Sequence, residues 1–357
     1  MKIVTIVGAR PQFIKAAAVS REFRSHQSIS EIILHTGQHY DDQMSEVFFR
    51  EMDIPKPLLN LEIRSSLHGE MTGQMLAGIE QAILQEKPDA VMVYGDTNST
   101  LAGALAAAKL QVKLIHVEAG LRSFNMAMPE EINRILTDRI SNLLCCPTDH
   151  AIQNLRNEGF DHMKINVVKT GDVMQDAALF YSQRSAQQSS VMQDLPFKKF
   201  ILCTLHRQEN TSDSVRLKNI VEAINVIHKV IPIVLPIHPR TKKTFEAAGL
   251  ILDCLVIDPV GYFDMIELIK NSTLVMTDSG GLQKEAYFFS KYCVTLRDET
   301  EWLELVENGF NKLVGADKDE IISSVRSLSD RKFESSVELY GGGHACSRIV
   351  EAIEKYI

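Results

Sequence analysis

The chain has 357 residues, 45% of them hydrophobic and 24% charged, with a formal net charge of −8. That length gives two domains at about 150 residues each, both able to bury a core. The acidic balance, without a basic run, argues against nucleic acid as a partner, and no apolar stretch approaches the roughly 18 residues that span a bilayer.

In chain order, apolar β-rich runs predict strands at Lys2–Val7, Ile32–Thr36, Ala90–Tyr94, Lys113–Val117 and Leu143–Cys146. Helical patterns fall between them, at Met71–Gln85 and in an Ala-rich stretch at Thr100–Lys109. Such alternation predicts an α/β, doubly wound, Rossmann-like parallel sheet, whose strands read as near-continuous apolar runs because both faces are covered. The opening run is too short for a signal peptide.

The pattern then starts again. Strands are predicted at Phe200–Thr204, Ile233–Pro236, Leu255–Ile257, Leu274–Thr277 and Tyr292–Thr295. Helices are predicted at Leu217–Val230 and Tyr262–Lys270, with a last one at Cys346–Ile357. The Ser- and Gln-rich stretch Arg184–Gln193 reads as an exposed segment near the domain junction. Six cysteines sit mostly in apolar runs without Cys-x-x-Cys spacing, as reduced core residues of a cytoplasmic protein would.

In open parallel sheets, ligands bind beyond the carboxyl ends of strands, and the unusual polar residues fall there. Gly8-Ala9-Arg10-Pro11-Gln12 follows the first strand, either as a close approach to an anion charged by Arg10 or as a tight turn; no Gly-x-Gly-x-x-Gly is present. Gly95-Asp96-Thr97-Asn98-Ser99-Thr100 offers more polar groups than a helix cap needs. Glu118 directly after an apolar strand is costly unless paired or functional, and Arg122 offers it a structural bridge. Pro129-Glu130-Glu131 opens a helix on which Glu130 and Arg134 share a face, as a capped surface helix also would.

Asp96, Glu118 and Glu130, carried by successive segments of one sheet, can converge and raise one another's proton affinity, which suits acid–base work. Metal binding is the rival use, without His-rich spacing to support it. In the second half, His206-Arg207 and His238-Pro239-Arg240 read as anion contacts at strand ends. Ser279-Gly280-Gly281 ends a strand and opens a helix, a diphosphate cradle, with Glu285 one turn on for a ribose diol.

Together these motifs resemble the non-hydrolysing UDP-N-acetylglucosamine 2-epimerase family. The resemblance rests on Gly8–Pro11, Gly37-Gln38-His39, Gly95-Asp96-Thr97, His116 to Arg122, Pro129-Glu130-Glu131 with Asn133-Arg134, His206-Arg207, and Thr277 to Gly281. It implies a GT-B-like pair of Rossmann-like domains with the site in the interdomain cleft. The first domain would be 1–169 with 346–357, the last helix crossing back, and the second 170–345. It implies a homodimer acting on a UDP-sugar, with no metal and no nicotinamide cofactor. Elimination of UDP would give a 2-acetamidoglucal, and re-addition would invert C2. By motif, Asp96, Glu118 and Glu130 become acid–base candidates. His206 and Ser279 become diphosphate contacts and Glu285 a ribose contact, while Arg10, Lys15 and Arg134 line the cleft.

Several features depart from the commonest family pattern. Gln12 replaces an acid, Asn98-Ser99 interrupts a threonine run, the Glu118–Glu130 segment is short, and Glu301-Trp302-Leu303-Glu304 replaces Glu-Arg-Pro-Glu. They resemble the branch acting on UDP-2,3-diacetamido-2,3-dideoxyglucuronate for surface polysaccharide. Gln38, Gln43 and Gln74 are candidates for the second, regulatory UDP-sugar site of some relatives, or plain polar surface. The rival activities are a hydrolysing relative that releases UDP, a glycosyltransferase of the same architecture, and a non-catalytic UDP-sugar sensor.

Overall fold

Each predicted apolar run forms a parallel strand. The computed structural model describes residues 1–37, 57–63, 65, 67–237, 239–335 and 337–357, without the side chains of Arg10, Pro239 and Arg240. The chain divides into two compact units, Met1–Ala177 with Glu338–Ile357, and Ala178–Val337.

The first unit holds β1 (Lys2–Val7), β2 (Ser30–His35), β3 (Leu59–Asn60), β4 (Ala90–Tyr94), β5 (Lys113–Val117), β6 (Leu143–Cys146) and β7 (Asn166–Lys169). Their order is β3-β2-β1-β4-β5-β6-β7, with every pair parallel. The second unit holds β8 (Ile201–Thr204), β9 (Ile233–Pro236), β10 (Leu255–Ile257), β11 (Leu274–Thr277), β12 (Cys293–Thr295) and β13 (Asn311–Leu313). Its order is β10-β9-β8-β11-β12-β13, again all parallel. Both are doubly wound Rossmann-like sheets. Strand order reverses between β1 and β4 in one and between β8 and β11 in the other, the places where such sheets open a crevice.

The helices follow from local chemistry. Thr97 caps Asn98–Lys109 by accepting the Thr100 amide at 3.3 Å, and the alanines behind it favour helix while presenting a smooth face. That helix and His68–Glu86 cover one face of the sheet, burying Val4, Ile6, Val91 and Val93 against Met75, Ile79 and Ala104. Pro11 sits in the first turn of Arg10–Arg24, where its missing amide proton costs nothing. The last helix, Ala345–Tyr356, packs on Arg10–Arg24.

The differences from expectation have plain causes. β3, β7 and β13 lie away from the centres of their sheets, are two to four residues long and lack an apolar run. Arg184–Gln188, within the segment expected to be exposed, is the end of the helix Val173–Gln188 and is open to solvent except at one residue. Ser185, fully buried there, donates to Glu267 Oε1 at 2.6 Å. All six cysteines are buried and free, and burial pushes the Cys145 and Cys293 thiols up to about 12.

Gly103 lies where the helix Asn98–Lys109 crosses the sheet. A Cβ there would stand 2.6 Å from Ile6 Cδ1 and 3.1 Å from Val93 Cγ1, both in fully buried side chains. Gly103→Val therefore overpacks the first unit. It is expected to cost roughly 1–3 kcal/mol, seen as a lower thermal midpoint with unchanged secondary structure.

Candidate active site

The turns after β1, β4 and β5 carry the charged residues of the first unit. Gly8 has no room for a side chain, because Thr36 Oγ1 and Ser99 Oγ occupy the space a Cβ would need. The Gly8 and Ala9 amides donate to Gln12 Oε1 at 2.8 and 3.0 Å, and Gln12 Nε2 donates to Tyr94 O and Thr100 Oγ1. These amides are thus engaged by the turn's own glutamine. Arg10 heads the helix.

Glu118 takes a left-handed backbone at φ 69°, unusual for a residue with a Cβ. Its carboxylate pairs with Lys15 Nζ, both side chains being about nine-tenths buried. Gly95, at φ 60°, lies under this pair, since a Cβ there would stand 3.2 Å from Glu118 Oε2 and 3.3 Å from Lys15 Nζ. The expected Arg122 bridge to Glu118 is not made. Arg122 Nη1 instead donates to Asp138 Oδ2 at 2.7 Å, and its Nε and Nη2 grip Glu158 at 2.6 and 2.9 Å. Asp138 and Glu158 are nearer the fork once β5 and β6 pair, a proximity that sequence distance hides.

Asp138 is the residue the sequence reading missed. It is fully buried, and its carboxylate takes His116 Nδ1 at 2.7 Å, Arg122 Nη1, and the Gly120 amide at 3.2 Å. His116 Nε2 meets Gly95 O at 2.7 Å. Burial alone would raise the Asp138 pKa, but His116 and Arg122 hold it below the usual carboxylate value. This single carboxylate therefore grips the chain on both sides of Glu118.

Asp96 accepts from Arg134 Nη2 at 2.5 Å, and Asn133 Nδ2 donates to its carbonyl at 2.9 Å. Its side chain keeps 30% of its surface open, yet the protein around it raises its pKa by desolvation. The Arg134 and Lys15 charges oppose that rise, and those of Glu118 and Glu130 add to it. Arg134, Lys15, Glu118 and Glu130 thus all act on the charge of Asp96. Glu130 is exposed at the helix start, whereas its neighbour Glu131 is buried and accepts the Ser123 and Phe124 amides, each at 2.9 Å.

In the second unit, His206 follows β8 and Ser279 follows β11, side by side at the strand-order reversal. Thr204 and Thr277 join these strands by a 2.6 Å hydroxyl contact. Ser279 caps the helix Gly280–Phe288 by accepting the Leu282 amide at 3.5 Å. Gly280 and Gly281 then lead the helix, positions whose amides have no acceptor within it. Glu285 lies one turn on and is buried. The side chain of His206 is 57% exposed, and its Nδ1 lies 3.0 Å from Asp278 Oδ1. His238, Gln38, His39 and Gln43 lie outside the described residues. Gln74 is exposed and donates to Glu70 at 3.2 Å.

Fold and site define an α/β enzyme class. Interacting carboxylates and cations stand at the strand ends of one sheet, and a capped Ser-Gly-Gly turn beside a histidine at those of the other. Among the described residues, no group of three His, Cys, Asp or Glu is placed to hold a metal ion. The family profile for UDP-N-acetylglucosamine 2-epimerase matches residues 21–354. A Pseudomonas aeruginosa UDP-2,3-diacetamido-2,3-dideoxy-D-glucuronate 2-epimerase is 58% identical, covering 99% of this chain and 100% of its own. The crystal structure of Methanocaldococcus jannaschii UDP-GlcNAc 2-epimerase in complex with UDP-GlcNAc and UDP is 42% identical, with TM-score 0.89, over 99% of this chain and 100% of the other. That of the Neisseria meningitidis enzyme bound to UDP-GlcNAc is 32% identical, with TM-score 0.88 and the same coverage. The chain belongs to the UDP-N-acetylglucosamine 2-epimerase family, which are isomerases.

Replacing Asp138 with asparagine removes the buried charge that the His116 ring and Arg122 share, leaving Arg122 with Glu158 alone as counter-charge. Asp138→Asn is expected to cost about 3–5 kcal/mol, read by denaturant unfolding of the first unit. The sign with pH follows from its lowered pKa. The stabilisation is present above the unfolded aspartate value near ~4 and is lost as pH falls through the lower folded value. The wild type should therefore lose stability in acid over a window in which Asp138→Asn does not.

Proposed function

We propose that the protein inverts C2 of a UDP-linked 2-acetamido sugar without net release of UDP. The observation that carries this reading is Asp96, whose charge feels the carboxylates of Glu118 and Glu130 and the cations Lys15 and Arg134. Inversion of C2 needs a group to take the proton on one ring face and another to return it on the opposite face. The C2 proton beside an acetamido group is weakly acidic, so its removal is coupled to loss of a good leaving group.

In the proposed sequence a carboxylate takes the C2 proton, the C1–C2 double bond forms, and the C1–O bond breaks with its electron pair going to UDP. The product is a 2-acetamidoglucal. UDP then adds back to C1 as a second acid delivers a proton to the other face of C2. Stabilising charge on the departing diphosphate is where the largest gain is available. That work falls to His206, His238 and the Ser279-Gly280-Gly281 turn, with Glu285 on the ribose and Arg10, Lys15 and Arg134 lining the site. Asp96, whose raised pKa favours holding a proton, suits the donor role, and Glu118, paired with Lys15, the acceptor role.

The P. aeruginosa relative favours UDP-2,3-diacetamido-2,3-dideoxyglucuronate as the substrate, for surface polysaccharide synthesis, over UDP-GlcNAc. We also take the enzyme to be a cytosolic homodimer. Supporting this is an exposed apolar set around the helix Pro129–Ile140: Phe124 at 72%, Met126 at 60%, Ile132 at 40% and Leu136 at 45%.

Proton NMR in heavy water with each UDP-sugar in turn should show deuterium entering C2, fastest with the diacetamido glucuronate. No exchange with any of them would leave only a binding protein, and stoichiometric free UDP would mean a hydrolase. Glu118→Gln, near-isosteric but unable to take a proton, should keep UDP affinity and lose exchange; unchanged turnover would remove Glu118 from the mechanism. Light scattering should give twice the 40.1 kDa chain mass, and Ile132→Glu with Leu136→Glu should halve it; a wild-type monomer would sink the dimer.

A further inference from the structure

Asp278 is the residue of the Thr277–Glu285 motif to which the proposed function gives no part. It follows β11 directly and has no exposed surface, a place where a carboxylate persists only when bonded on all sides. Its partners are complete. The His206 amide donates to Oδ1 and Oδ2 at 3.2 and 3.1 Å, and the Arg207 amide to Oδ2 at 2.9 Å. Asn210 Nδ2 donates to Oδ2 at 3.3 Å and is itself fixed by Leu296 O at 2.9 Å. The last partner is His206 Nδ1, 3.0 Å from Oδ1.

A carboxylate in this setting only accepts, so the proton of that contact sits on Nδ1. Despite burial, the ring and the amides hold Asp278 below the usual carboxylate value, so it is an anion whenever the ring leans on it. The two nitrogens of an imidazole point to different sides. With Nδ1 turned in, Nε2 is turned out, on a side chain that is 57% exposed. The next residue in the chain is Ser279, whose amide is held by Thr277 Oγ1 at 2.9 Å and whose hydroxyl caps the Gly-Gly helix. One buried carboxylate thus sits under both the histidine and the turn.

We infer that Asp278 is a positioning residue that locks the His206 imidazole with its proton on Nδ1 and turns Nε2 toward the diphosphate leaving C1. The inference deepens the proposed function and rests on it. With the diphosphate bound the ring takes a second proton from solvent at Nε2, so that as the C1–O bond breaks and its electron pair passes to the phosphate oxygen, Nε2–H donates a hydrogen bond to that oxygen. No proton is transferred in this step. The ring then has both protons engaged, one at Asp278 and one at the phosphate, with the buried anion opposite the charge it must support. An asparagine in its place can present its amide N–H to Nδ1, which keeps the ring neutral and leaves Nε2–H without the positive charge that opposes the diphosphate.

The test is Asp278→Asn, read by C2 exchange and by 15N NMR of histidine-labelled protein, with His206→Ala to assign the signal. Wild type should show His206 carrying its proton on Nδ1. Asp278→Asn should lose on the order of 100-fold in kcat with KM moved far less, and its ring should shift to the Nε2–H form. The double variant with His206→Ala should be no slower than His206→Ala alone, because the carboxylate acts through the ring. A wild-type ring unprotonated at Nδ1, a variant with normal kcat, or losses that multiply in the double variant would each overturn the assignment. The NMR arm needs neither turnover nor a stable variant. Failure of C2 exchange in the wild type would sink the reading of function, while the ring signal would still judge the Asp278–His206 pair.

Discussion

The first unit depends on one buried anion. Asp138 lies on the same helix as Glu130 and Arg134, and it binds His116, Gly120 and Arg122, two residues before Glu118 and two and four after it. Glu118 is thereby kept in a left-handed backbone that a residue with a Cβ avoids by default. His116 passes the same constraint on to Gly95, next to Asp96. The strand-end turns that carry Asp96 and Glu118 are thus tied to one ion network inside the fold. A buried network of this kind is costly when half-made and rigid when complete.

Three aspartates show how environment divides structural from chemical roles. Asp138 and Asp278 are fully buried and have lowered pKa values, each because a histidine and other donors surround it. Asp96 is more open to solvent, yet its pKa is raised, because desolvation and two neighbouring carboxylates outweigh Arg134 and Lys15. The first two are anions that hold other groups still. The third is pushed toward its protonated form by its surroundings. The same topology, used twice, sets carboxylates around a helix-borne arginine in one unit and free amides beside an aspartate-held histidine in the other.

The fold was legible because its main strands are apolar runs that nothing but a covered parallel sheet explains, and ten of them stand within two residues of their expected bounds. The short strands β3, β7 and β13 carry no such signal, and in Arg184–Gln188 the Ser- and Gln-rich composition hides a helix that Arg, Ala and Gln favour and that the buried Ser185 anchors. The placement of Asp96, Glu118, His206 and Ser279 after strand ends was legible, because each closes an apolar run. Partnership was not. Lys15 and Glu118 are 103 residues apart, and the structural bridge from Arg122 to Glu118 that sequence spacing allows gives way in the folded chain to Asp138 and Glu158. Asp138 looked like one more polar residue on a surface helix.

The departures from the common family pattern have a different meaning once placed. Gln12 is 1% exposed and fastens the β1 turn to the end of β4; Ser99 is fully buried, 2.8 Å from Thr36 across the place where Gly8 has no side chain. Asn98 joins His68 at 3.2 Å to Asn133 at 3.3 Å, bridging three helices. Glu301 pairs with Arg297 at 3.0 Å and occupies the space above Gly280, while Trp302 is buried under the Lys284 ammonium, 3.8 Å from its ring centre. Each of these residues is engaged in holding a turn or a helix start, so a change at any one of them must be matched by its partners. They therefore mark a lineage with its own packing beneath the two strand-order reversals.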